Sequence, residues 1–164
     1  MIQDSGNRRE FESGAVRDMA EGKGRCDLLP LIDIANLLTE DDTFFDVSIL
    51  KKILDNIAGC IDESNSKQIR YDYAISAIKE FASMTCYSVF DLMLEVAIHY
   101  EEGAKKYSER NWEKGLPLWC FLDSATRHLL KYLDEQNDEP HGRAFVWNML
   151  GFMFTLRKEE MKDE

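Results

Sequence analysis

The chain has 164 residues, 45 % of them hydrophobic, and a formal net charge of −11. This length and apolar content suit one folded domain with a real core and argue against global disorder. The acidic balance, with no basic run longer than two, argues against a nucleic-acid polymer as partner, since a phosphate backbone calls for clustered Lys and Arg.

Residues 1–30 read as an extended, glycine-rich arm. "SGAVRDMAEGKGRCDLLP" mixes Gly14, Gly22, Gly24 and Pro30 with Arg17, Lys23 and Arg25. Glycine permits unusual backbone angles and close approach, so the arm reads either as a phosphate-embracing segment or as a mobile terminus. The start, "MIQDSGNRREFESG", lacks the apolar core of a signal peptide, and no apolar run reaches the ~18 residues of a membrane span; the expected location is the cytoplasm.

Helix dominates after residue 30, and no stretch reads as a convincing strand. Ile32, Ala35 and Leu38 predict a short helix in "LIDIANLLTE". Val47, Leu50, Ile53, Leu54, Ile57 and Ile61 repeat at helical spacing, and "ESNS" ends that helix. The third helix is predicted over about 69–83 and the fourth over about 88–107. "SERNWEKGLP" is then a loop closed by Gly115 and Pro117. The fifth helix covers 118–133, and "DEQNDEP" is an acidic turn. Pro140 suits the first turn of a last helix running to about Lys158. The expectation is an all-α bundle of five to six helices with an N-terminal arm, a single domain overall.

The four cysteines, Cys26, Cys60, Cys86 and Cys120, form no Cys-x-x-Cys pair and read as plain thiols.

Three polar groupings look energetically expensive. On the fourth helix Glu95, His99 and Glu102 share a stripe, facing either one ligand or solvent. On the fifth, Asp123, Arg127, Lys131 and Asp134 lie opposite the apolar arc, and His128 sits at its edge. The last helix is apolar almost all round, yet His141, Asn148 and Thr155 recur at intervals of seven. A buried polar group without partners costs roughly 1–3 kcal/mol, so this stripe serves either a polar network between helices or a ligand. Asn111 and Trp112 in the loop offer an amide and a ring face suited to a base, or a plug for the core below. Asp138 and Glu139 precede a helix N-terminus, where capping alone would account for them. Oxygen ligands with histidine suit Mg²⁺ or Mn²⁺. The chain has no P-loop, Rossmann glycine pattern or nucleophilic serine motif, so metal-assisted hydrolysis is the enzyme chemistry that fits.

"SGAVRDMAEGKGRCDLLP", "HYEEGAKKYSERNWEKGLP", "LDSATRHLLKYL" and "DEPHGRAFVWNML" together resemble the dATP/dGTP diphosphohydrolase N-terminal family, common in phages and prophages. The resemblance covers about 30 residues at the start and about 65 at the end, with 31–91 reading as a helical insertion and 92–164 as the family core. It implies an all-α domain acting on purine deoxynucleoside triphosphates with a divalent metal, releasing pyrophosphate, in a bacterial host cell. It also implies kinship in style with all-α pyrophosphatases that hold Mg²⁺ by Glu-x-x-Glu and Glu-x-x-Asp pairs. This chain has no Glu-x-x-Glu, and its Glu-x-x-Asp matches are Glu135–Asp138 and Glu160–Asp163.

The residues assigned on this basis are Glu102, Asp138 and His141 for metal and water positioning. Arg17, Lys23 and Lys106 are assigned to phosphate, Asn111 and Trp112 to base or sugar. His141 and Asn148 face the nucleotide or its metal, and His128 is assigned to phosphate or to a supporting place behind the metal ligands. The expected function is hydrolysis of dGTP or dATP to the monophosphate and pyrophosphate by a homo-oligomer. The alternative is a phage-type protein that sequesters a nucleotide or cyclic nucleotide without turnover. A purely structural interaction protein is disfavoured by the polar stripe.

Overall fold

The computed structural model describes residues 6–19, 23–38, 45–85 and 87–163. Gly22 and Cys86 lie outside the described residues, as do the side chains of Glu160 and Asp163. The fold is all-α, with six helices: α1 (Leu31–Leu37), α2 (Val47–Ile61), α3 (Lys67–Thr85), α4 (Val89–Tyr107), α5 (Leu118–Leu133) and α6 (His141–Asp163).

The helix ends follow local chemistry. Asp46 caps α2 by accepting from the backbone N–H groups of Ser48 and Ile49. Ser88 and Asp91 form a reciprocal capping box at the start of α4, and Lys105 and Lys106 complement the helix dipole at its end. At the end of α5, Gln136 N–H donates to the Lys131 carbonyl and Glu135 N–H to the Tyr132 carbonyl, with Glu135 left-handed at φ 53°. This pair of bonds is a Schellman closure, and it starts the acidic turn that leads into α6.

α6 is the central element, packing on α3, α4 and α5, while α2 pairs with α3. Phe145, Val146, Met149, Phe152 and Leu156 of α6 are buried with Phe81, Phe121 and Leu129 around them. The close approach of α5 and α6 needs Gly151, where a Cβ would run into the Phe121 ring.

The arm departs from the strand-free expectation. Arg8–Glu10 (β1) and Val16–Asp18 (β2) pair antiparallel, with Arg9 opposite Arg17. Three-residue strands lie below what side-chain alternation reveals in a sequence. Their pairing is reinforced from outside: Val16 N–H donates to Asn111 Oδ1 at 3.0 Å, and Asn111 Nδ2 donates back to the Val16 carbonyl at 2.9 Å. The arm is thus a folded wall against the loop after α4. No single helix among the described residues is long and apolar enough to cross a membrane.

Candidate functional site

A cavity of about 820 Å³ opens between the arm, the C-terminal half of α4, the loop after it, and the facing sides of α5 and α6. That volume suits a nucleotide-sized ligand. Arg17, Lys23, Lys106, Asn111, Trp112, His128 and Asn148 all line it; Glu102, Asp138 and His141 do not.

Several of these side chains have defined partners. Arg17 reaches from β2 to the central helices, donating to the Cys120 carbonyl at 2.8 Å and to Asn148 Oδ1 at 2.5 Å. Its guanidinium packs over the Phe121 and Trp147 rings, and burial lowers its pKa. Asn148 donates to the Ala144 carbonyl one turn back. Lys106 pairs with Asp18 at 2.7 Å. The Lys23 ammonium is pushed down first by burial, with Asp18 opposing and the neighbouring Arg127 and Lys106 cations adding to the shift. Crowded cations with partial burial favour an anion arriving among them. Trp112 meets the Phe154 ring edge-on at 4.6 Å and tilts against Tyr100 at 5.2 Å, so it is both a packing ring and part of the cavity wall.

The polar stripe of α6 resolves into three unlike positions, all buried. Asn148 belongs to the Arg17 network. Thr155 Oγ1 has no hydrogen-bond partner among the described residues. His141 sits in a cluster with His128 of α5 and Glu139 of the acidic turn. The two Nδ1 atoms are 3.0 Å apart, and Glu139 Oε1 lies 3.5 Å from His128 Nδ1 and 3.8 Å from His141 Nδ1. On its other side, His141 Nε2 meets Asp138 Oδ1 at 2.7 Å. Hydrogen bonds from Lys131 and then His141 hold the Asp138 carboxyl down at about 2. Burial, and then the proximity of His141, push the His128 imidazole well below its usual range, so it is neutral at pH 7.

These contacts show where the expected residues lie relative to the donor triangle. Glu102 is not at the cluster: it accepts from Arg143 at 2.7 Å, and Arg143 lies across the Glu95–Glu102 stripe with Glu95 at 3.9 Å. The stripe is therefore a contact between α4 and α6, not a ligand face. Asp138 backs His141 from behind and does not point into the donor triangle. Asn111, which lines the cavity, also exchanges a hydrogen bond at each end of its amide with Val16 and so pins the arm. The polar face of α5 turns inward under the arm. Asp123 Oδ1 accepts from Cys26 N–H at 2.7 Å, Asp123 Oδ2 pairs with Arg127 at 2.5 Å, and Arg127 donates to the carbonyls of Lys23 and Gly24.

Glu139, Asp123 and Arg127 were missed as site residues by the sequence reading. Glu139 is two residues from His141, a signal present but outweighed by the capping explanation. Asp123 and Arg127 carried none, because a charged face opposite an apolar arc reads as solvated.

Residues 63–164, containing α3 to α6 and the whole donor cluster, match the family described as dATP/dGTP diphosphohydrolase, N-terminal. The chain belongs to this family. No curated protein and no solved structure matches it. In this member of the dATP/dGTP diphosphohydrolase family, the arm that supplies Arg17 and Lys23 lies before the matched segment.

Two imidazoles and a carboxylate are donors of the kind that could hold a divalent metal. His128 Nδ1, His141 Nδ1 and Glu139 Oε1 all lie within 4.8 Å of one another, and His128 and Glu139 also line the cavity.

Proposed function

We propose that the cavity binds a purine deoxynucleoside triphosphate and that the protein hydrolyses it to the nucleoside monophosphate and pyrophosphate. The observation that carries this reading is that, in a chain of this family, the cation-lined cavity borders a metal-competent donor triad, two of whose members, His128 and Glu139, line it. Lys23, Arg17 and Lys106 neutralise the triphosphate. Arg17 is already oriented by Asn148 and the Cys120 carbonyl, so it loses little freedom on binding. Lys106 has to exchange part of its pairing with Asp18 for phosphate, which makes it a weaker contributor than Lys23. The Tyr100, Trp112 and Trp147 rings supply apolar wall for the base.

His128, Glu139 and His141 would hold the divalent ion. Such an ion supplies Lewis-acid polarisation of phosphoryl oxygens and lowers the pKa of a water. The arm and α6 wall part of the cavity, and the low-dielectric protein there strengthens charge interactions at its lining.

The test is incubation of purified protein with a nucleotide panel and Mg²⁺ or Mn²⁺, followed by chromatography. dGTP or dATP should yield monophosphate and pyrophosphate, and a chelator should stop the reaction. Tight binding with all nucleotide recovered intact would replace turnover with sequestration.

A further inference from the structure

The donor triangle carries more than the presence of a metal. Two of its corners are imidazole nitrogens and one is a carboxylate oxygen. With edges of 3.0, 3.5 and 3.8 Å, its centre lies about 2.0 Å from each corner, the bond length of a first-row metal to nitrogen and oxygen. A simple hydrogen bond between the two histidines would explain the first edge. It would leave Glu139 Oε1 3.5 and 3.8 Å from the two nitrogens, beyond good hydrogen-bond length to either ring. One ion at the centre accounts for all three edges.

The surroundings set the donor state. Asp138 Oδ1, at 2.7 Å from His141 Nε2, is placed to accept that nitrogen's proton, which turns the Nδ1 lone pair toward the triangle. Lys131, at 3.0 Å from Asp138 Oδ2, holds the carboxylate from its far side. The cluster therefore has a ligand, a backing carboxylate and a cation that anchors that carboxylate, each from a different part of α5, the acidic turn and α6.

We propose that His128, Glu139 and His141 form a two-histidine, one-carboxylate centre that selects a first-row transition-metal dication over Mg²⁺, with Asp138 as the residue that positions His141. Mg²⁺ binds oxygen and sheds water reluctantly, whereas imidazole suits Mn²⁺, Co²⁺ and Zn²⁺. Three protein donors leave further coordination positions for water and ligand oxygens. This rests on the hydrolase reading for its purpose, but the centre itself is testable without nucleotide.

The experiment uses the full chain, stripped with chelator and titrated separately with Co²⁺, Mn²⁺ and Mg²⁺ in the absence of nucleotide. Binding is read by calorimetry and, for Co²⁺, by visible absorption. One Co²⁺ per chain is expected, with Mg²⁺ weaker by about 100-fold or more. Glu139→Gln and His128→Ala should lose the Co²⁺ spectrum. Asp138→Asn should keep the stoichiometry and weaken affinity roughly 10–100-fold. Circular dichroism checks each variant's fold, and Glu139→Gln, on the acidic turn, serves if His128→Ala does not fold. Equal affinity for Mg²⁺ and Mn²⁺, no uptake by the nucleotide-free protein, or Co²⁺ binding untouched in folded Glu139→Gln would each overturn the proposal. Absent uptake with nucleotide turnover in Mg²⁺ would remove this centre and leave the hydrolase. Selective Co²⁺ uptake with no turnover would keep the centre and remove the hydrolase.

Discussion

His99 is buried on α4 with its ring 5.3 Å from that of Trp147. Burial first, and then the nearby Arg143 guanidinium, push its pKa down to about 4. Between that value and the roughly 6.5 of an unfolded chain, the unfolded state takes up a proton that the native state refuses. The stability tied to His99 is thus complete above about pH 6.5 and is lost as pH falls toward 4, by at most about 3 kcal/mol. Urea midpoints across this range should fall more gently for His99→Gln than for wild type; identical slopes would show that His99 does not titrate alone in this window. Trp112 makes the second residue-scale prediction. Its ring fills the space between Phe154 and Tyr100, so Trp112→Ala should cost roughly 2 kcal/mol of stability in addition to weakening nucleotide binding. An unchanged melting temperature would make the ring a ligand contact only.

At the scale of elements, the six α-helices among the described residues were all expected from the sequence, most by an apolar face at the 3.6-residue period and α6 by being apolar almost all round. α3 and α6 run a few residues beyond their expected ends, where sequence carries the weakest signal. The acidic turn was legible as a turn, and Asp138 in it was expected at the metal, whereas Glu139 was read only as a capping residue. The path of the turn is fixed by the Schellman closure at Glu135, a residue with a Cβ held at φ 53°. Glycine there removes the steric cost, so Glu135→Gly should stabilise the protein by about 0.5–1 kcal/mol in chemical denaturation. Glu135→Asn, which also tolerates this conformation, should move the same way. A loss of stability in both would mean that the Glu135 side chain holds the turn by a contact of its own. The covering of the polar faces of α4 and α5 was not legible in the sequence, for one reason. Periodicity reports which side of a helix is apolar, and it cannot say that a polar side will be covered by Arg143 or by an arm from a hundred residues away.

At the scale of the whole molecule, the site depends on that arm. Arg17 and Lys23 reach the cavity only because β2 is fastened to the loop after α4 and the following turn is clasped by Asp123 and Arg127. The sequence reading placed Arg17 and Lys23 at the ligand, yet the fastening was invisible, since Asn111 and Val16 stand 95 positions apart. Asn111→Ala strands the N–H and carbonyl of Val16 together, and the loss of two partly buried hydrogen bonds should cost roughly 1–3 kcal/mol locally. The effect should appear as faster amide exchange at Val16 and through β1 and β2, with little change in α5 and α6. Nucleotide affinity should fall at the same time, because the arm carries two of the three phosphate cations. Restoring the amide with Asn111→Gln should not rescue binding, since the longer side chain misplaces both bonds by about one methylene. Weakened affinity with full protection retained in β1 and β2 would return Asn111 to a direct role at the base. Unchanged affinity with an unprotected arm would show that Arg17 and Lys23 contribute nothing to the ligand.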